Sequence, residues 1–200
     1  MNLGLCPIKA RWALFLSGRG SNASAVMDMQ GWGEIALVVS NGQHLQAEPM
    51  GVTRARRAGI PVYQVGKKID WTQVDLELRR RGIDKVFLLG FMRLLPGEFV
   101  NKWAGQVFNL HPSLLPAYPG LEAIEKSFQD GAAMGVTIHA VVPEMDAGPI
   151  LFQKKILSKA PAGCHSLTLD EARFLISTAE QALVREAFAR TFLNLRLKKR

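Results

Sequence analysis

The sequence predicts a three-layer α/β fold: a mainly parallel, twisted sheet with helices on both faces and an antiparallel strand pair towards its C-terminus. Three observations predict it. Short, continuous apolar runs alternate with amphipathic segments through the first half of the chain, as strands buried on both faces and their covering helices do. Gly and Pro punctuate the changes of pattern. Two strand-like runs near 135–145 and 149–156 follow each other too closely for a parallel crossover, so they pair antiparallel.

Each element follows from its residues. "WALFLS" 12–17 is the first strand, followed by a Gly-rich turn and a helical stretch near 22–29. "IALVVS" 35–40 is the second, and a helix near 50–58 ends at Gly59 before Pro61. "PVYQV" 61–65 is a third strand, and an amphipathic helix over about 71–81 stops at Gly82. "KVFLLG" 85–90 and "QVFNL" 106–110 are two more strands with a short helix near 97–103 between them. After residue 120 come a helix near 121–129, the strands "GVTIHAVVPEM" and "PILFQKKI" joined by a short "DAG" turn, and a long helix over about 167–192. With no internal repeat or extended linker, the chain reads as one domain over residues 1–200.

Composition narrows the class. Two hundred residues at 48% hydrophobic and 21% charged content can bury a real core. The mean hydropathy is +0.07, and no apolar run has the length of a membrane span. The start, "MNLGLCPIKARW", does not read as a signal peptide. Cys6 and Cys164 match no metal-ligand spacing and no disulfide framework, so a reduced, cytoplasmic protein without a metal is expected. The net charge of +8 invites a nucleic-acid reading, but half of the excess lies in the final "RLKKR". Aromatic residues are not interleaved with the other basic runs, Arg54/Arg56/Arg57 and Arg79–Arg81, as a stacking platform requires. An anionic small substrate fits the balance at least as well as a polynucleotide.

Three segments carry chemistry. "LSGRGSN" 16–22 lies at a strand-to-helix turn. Gly18 and Gly20 permit a tight turn and close approach to a ligand, and Ser21 and Asn22 can cap the helix. Free amides at such a helix start bind phosphate, although a plain, well-capped turn reads almost the same way. Asn109 and His111 stand two residues apart at the C-terminal end of a strand, so they share one face where open α/β sheets place ligands. A lone buried His usually satisfies backbone groups. A pair leading into Pro112, Pro116 and Pro119 favours function. Asp146, before Ala147-Gly148-Pro149, suits a turn between strands or a partner that keeps His111 charged. His139 alternates within a strand and fits core, surface or a supporting position. His44 and His165 read as structural or exposed. No zincin motif or nucleophile elbow is present.

Together these segments resemble the folate-dependent formyltransferases. "NLHPSLLPAYPG" is similar to that family's Asn-x-His-Pro-Ser-Leu-Leu-Pro segment, and "GVTIHAVVPEMDAGPIL" to its second signature. "SGRGSN", the Tyr-Pro-Gly after "LLPA" and "LLGFMRLLP" 88–96 point to the branch that formylates glycinamide ribonucleotide in purine biosynthesis. The likeness runs from about 12 to 156.

The resemblance implies a Rossmann-like formyltransferase domain, with a ribonucleotide-phosphate half over about 1–100 and a folate and catalytic half over about 85–156. It implies transfer of the formyl group of 10-formyltetrahydrofolate to the glycine amine of glycinamide ribonucleotide. Asn109 N–H and protonated His111 would donate to the developing oxyanion, and Asp146 would hold His111 charged and help move the proton. Gly20, Ser21, Asn22, Ala23 and Ser24 would hold the ribonucleotide phosphate, and Glu180 would contact the glycinamide. Met92, Arg93, Leu94 and Leu95, with Asn109 and with Val142, Pro143, Glu144, Met145 and Asp146, would line the folate pocket. The segment from Pro112 to about Gly131 would act as a lid, with Leu115–Pro116 a candidate cis bond. The resemblance implies small-molecule partners, no membrane, no specific nucleic acid, and a monomer or homodimer. Transfer to an amino-sugar nucleotide or another amine, and a basic RNA-binding α/β module, stand as alternatives.

Overall fold

Every residue from Trp12 to Leu16 is buried, and this apolar stretch forms the central strand β1 (Arg11–Leu16). The structure is a computed structural model that describes residues 10–27, 29, 34–42, 47–159 and 167–197, with side chains as far as 189. Strand pleating sends successive side chains to opposite faces. Trp12, Leu14 and Leu16 therefore pack with Val26 of α1 (Ser21–Met27), Val52 of α2 (Met50–Arg57) and Ile176 and Leu183 of α6 (Leu169–Leu197). Ala13 and Phe15 pack on the other side with Val74 and Leu78 of α3 (Trp71–Arg80) and Phe99 of α4 (Gly97–Lys102). Leu14 is fully buried, and its truncation to Ala would cost about 2–5 kcal/mol.

The remaining strands are β2 (Glu34–Ser40), β3 (Val62–Gln64), β4 (Lys85–Leu88), β5 (Val107–His111), β6 (Met134–Ala140) and β7 (Ile150–Leu157). They form one sheet in the order β3-β2-β1-β4-β5-β6-β7. The first five strands run parallel, and β6 runs antiparallel to both β5 and β7. A last helix, α5 (Ala123–Gln129), lies between β5 and β6 in sequence and packs Ile124 and Phe128 beside α6. The three-layer fold is the one the alternation of runs predicts.

The chain builds outward from β1 in one direction through β2 and β3, then crosses to β4 on the other side. That reversal opens a crevice at the carboxyl ends of β1 and β4, the usual ligand position in open α/β sheets. Local bonds hold its walls: Ser17 N–H donates to Gly90 O at 3.2 Å and Met92 N–H to Ser17 Oγ at 2.7 Å.

Two expectations are corrected. The strand expected over 135–145 stops at Ala140. Val141 N–H still bonds Val107 O at 2.8 Å, but Pro143 has no N–H to carry a ladder further. The connection to β7 is consequently the nine residues 141–149 rather than a short turn. The C-terminal helix runs on to Leu197, beyond the expected end near 192. His44, His165, both cysteines and residues 198–200 of the basic tail lie outside the described residues. Among the described residues, no helix is long and apolar enough to cross a membrane.

Candidate active site

Strand β5 ends on the polar pair. Its register sets Asn109 opposite His139 of β6 and His111 opposite Thr137. Asp146 reaches the same place from the 141–149 loop, with a backbone φ of 51°, in the left-handed region. Gly148 makes this loop possible: a Cβ there would stand 1.8 Å from Ala140 O. Only a residue without a side chain can pass so close to the end of β6.

The Asp146 carboxylate is the hub. His111 Nδ1 stands 3.4 Å from Oδ2, and the Gly120 N–H donates to that oxygen at 2.8 Å. Asn109 Nδ2 donates to Oδ1 at 3.3 Å, and His139 Nε2 stands 3.4 Å from Oδ1. The cluster is well enclosed, with side-chain exposures of 11% for Asp146, 6% for His111 and 2% for His139. Burial alone would raise the Asp146 carboxyl. Contact with His139, the Gly120 N–H and the positive charge of His111 outweigh it and hold the carboxyl down at about 2. His111 Nε2 also meets an acceptor, Tyr118 O at 2.9 Å. With an oxygen acceptor at each ring nitrogen, only the doubly protonated imidazole donates to both.

The structure thus brings Asn109, His111 and Asp146 together. It turns their donors inward: the Asn109 amide towards Asp146 and His139, and His111 Nε2 towards a loop carbonyl. That loop is pinned from below. Thr137 Oγ1 donates to Ser113 O at 2.7 Å, Gln153 Nε2 donates to Leu115 O at 2.8 Å, and the Leu115–Pro116 bond is cis as expected.

The β1–α1 turn forms a second polar group. Gly20 has φ 74°, and a Cβ on it would stand 2.9 Å from Gly51 Cα of α2. Ser21 opens α1, with Asn22, Ala23 and Ser24 buried behind it. Asn22 does not act as a cap; its Nδ2 donates to Glu180 Oε2 of α6 at 3.1 Å. Burial raises the Glu180 carboxyl to about 7, against a smaller lowering by Asn22. Among the described residues, Asn22 Oδ1, Ser24 Oγ and Asn41 Oδ1 are buried without a hydrogen-bond partner. Buried polar atoms left unpaired cost free energy, and a polar ligand or water is what relieves it.

A third group lies in the segment after β4 and in the loop that carries Asp146. Met92, Arg93 and Leu94 are exposed after β4, with Leu95 partly buried against the core. In the 141–149 loop Val142 is partly buried, and Pro143, Glu144 and Met145 are exposed. Met92 at 66%, Leu94 at 75% and Met145 at 56% exposure are large apolar side chains left in water. Apolar walls beside a few convergent polar groups describe a small-molecule site. Among the described residues, no group of His, Cys, Asp and Glu is placed to hold a metal ion.

The family description "Formyl transferase" matches residues 10–163. The chain belongs to the formyl transferase family. It is 40% identical over 159 residues to the human trifunctional purine biosynthetic protein adenosine-3, covering 74% of this chain but only 15% of that protein. It is 36% identical over 150 residues to the phosphoribosylglycinamide formyltransferase of Escherichia coli K12, covering 72% of this chain and 71% of the relative. Among solved structures, the phosphoribosylglycinamide formyltransferase of Anaplasma phagocytophilum superposes with a TM-score of 0.79 at 35% identity. That match covers 87% of this chain and 82% of the other.

For a formyl transferase, the sequence reading left His139 undecided and passed over two backbone groups, Tyr118 O and Gly120 N–H. His139 had a signal, its same-face spacing with Thr137, but its partner depended on the β5–β6 register. The backbone groups carry no residue-type signal at all.

Proposed function

We propose that this chain transfers the formyl group of 10-formyltetrahydrofolate to the primary amine of glycinamide ribonucleotide, yielding formylglycinamide ribonucleotide and tetrahydrofolate. One observation carries the reading: the Asp146 carboxylate is shared between His111 and Asn109 at the end of β5. The names of the related enzymes support the choice of acceptor.

In this mechanism the amine attacks the formyl carbon, and a C–N bond forms while the carbonyl oxygen gains negative charge. His111 Nε2 donates to that oxygen once the Tyr118 carbonyl withdraws from it. Donors held ready in an enclosed site stabilise such charge strongly, because they need no reorganisation as it develops. The intermediate collapses by breaking the bond to the folate nitrogen. The amine loses a proton and the folate nitrogen gains one, with Asp146 handling the transfer through water. Gly20, Ser21, Asn22, Ala23 and Ser24 bind the ribonucleotide phosphate, and Glu180 meets the glycinamide. Met92 to Leu95 and Val142 to Asp146 receive the pterin.

The test is an assay of the purified protein with 10-formyltetrahydrofolate and a panel of amine acceptors. Turnover of glycinamide ribonucleotide is expected. Rapid turnover of an amino-sugar nucleotide with none of the ribonucleotide would overturn the reading.

A further inference from the structure

Three residues stand in a row across the antiparallel strands: His111 of β5 pairs with Thr137 of β6, and Thr137 pairs with Gln153 of the edge strand β7. Directly paired positions share one face of a sheet. The segment Ser113 to Leu115, just after His111, is bonded to that row. Ser113 O is a pure acceptor, so the single Thr137 hydroxyl proton goes to it, at 2.7 Å. The hydroxyl's two lone pairs take the Leu115 N–H at 3.3 Å and Gln153 Nε2 at 2.9 Å. Leu115 O is a pure acceptor too, and Gln153 Nε2 donates to it at 2.8 Å, which fixes the orientation of the amide. Two side chains thus satisfy three backbone groups in a segment where Ser113 and Leu115 are buried. The order then passes along the loop. Ser113 Oγ donates to Ala117 O at 2.6 Å, and Ala117 N–H donates to Leu114 O at 3.0 Å. The next residues reach the catalytic pair: Tyr118 O lies 2.9 Å from His111 Nε2, and Gly120 N–H donates to Asp146 Oδ2 at 2.8 Å. His111 Nδ1 faces that same carboxylate oxygen.

We propose that Thr137 and Gln153 are positioning residues for formyl transfer: they anchor the start of the 113–120 loop, so that its far end delivers the Gly120 N–H to Asp146 and aims that carboxylate at His111. The inference rests on the formyl-transfer reading for its kinetic consequence, not for its geometry. Both side chains act through the loop backbone. Once the Tyr118 carbonyl withdraws from His111, the Gly120 N–H is the loop's remaining hold on the pair. Gln153 does its part from an exposed position on the edge strand, where a substitution leaves the core packing intact.

Two measurements test it. Gln153→Leu keeps much of the side chain's bulk without a donor, and Gln153→Glu, ionised, offers only acceptors to Leu115 O and Thr137 Oγ1. In both, kcat should fall by about 10- to 100-fold with KM for the ribonucleotide nearly unchanged, the scale of a small misplacement at a reacting centre. Thr137→Val should lose as much, and Thr137→Ser, which keeps the hydroxyl, should recover most of it. Equal kcat in wild type and Gln153→Leu would overturn the proposal. Amide hydrogen exchange reads the anchoring without any substrate. In Gln153→Leu the Gly120 N–H should exchange about 10-fold faster or more, as a locally opened loop does, while Leu14 and Phe15 of β1 keep their wild-type rates. A Gly120 rate that is unchanged, or that rises only in step with the β1 amides, would mean that these bonds stabilise the fold without holding the loop, and would overturn the proposal as well. Wild-type protein inactive on glycinamide ribonucleotide would instead count against the function, and exchange at Gly120 would still decide the geometry.

Discussion

Asp146 carries the most at the scale of single residues, because four neighbours converge on two oxygens. Held at about 2, the carboxyl stays ionised across the physiological range. Asp146→Asn keeps the shape and removes the charge. We expect the variant to fold, with a near-normal far-UV spectrum, while kcat falls by about 10²- to 10⁴-fold, the range for a lost proton-transfer group. Near-normal turnover would take Asp146 out of the chemistry. His111→Ala should lose activity on a similar scale, and the double variant should lose less than the product, since the two act as a unit. The pair was legible in the sequence as an unusual Asn and His at a strand end. Their meeting with Asp146 was expected from the resemblance rather than from spacing, because a separation of 35 residues between His111 and Asp146 becomes a contact only through the loop that Gly148 allows.

At the scale of elements, boundaries set by residue chemistry were the legible ones. Helix α3 starts where Asp70 accepts from Thr72 N–H and Gln73 N–H, and ends before Gly82 at φ 60°. The run to Met145 was misread as strand because hydrophobicity alone does not register that Pro143 breaks the ladder. The β1–α1 turn shows the same principle applied to binding. Gly20→Ala must hold a side chain at φ 74° and 2.9 Å from Gly51 Cα, so either α2 shifts or the turn opens. We expect a loss of about 1–3 kcal/mol in urea unfolding from the left-handed conformation alone. The proposed site adds a kinetic signature: KM for the ribonucleotide should rise more than KM for the folate. An equal rise in both would detach this turn from the phosphate.

At the scale of the whole molecule, the alternation of runs revealed a parallel sheet with helices on both sides, but not the strand order. The reversal between β1 and β4 places the crevice, and it follows from packing over the complete chain. The same closure joins residues 158 apart: α6 folds back so that Glu180 meets Asn22 of α1. That contact makes stability depend on pH. Burial raises the Glu180 carboxyl from 4.5 to about 7, so the folded protein holds a proton that the unfolded chain has released. Between those values the native state binds more protons than the unfolded state, and linkage requires stability to fall as pH rises. The contribution is fully present below pH 4.5 and is lost as pH passes 7, by about 3 kcal/mol at most. Glu180→Gln keeps an acceptor for Asn22 and cannot ionise. Urea unfolding of both proteins at several pH values isolates this one group from every other titration. The variant should gain on the wild type steadily from pH 4.5 to 7 and hold its advantage above. A constant difference across that range would mean that Glu180 titrates normally and that the α1–α6 closure does not desolvate it.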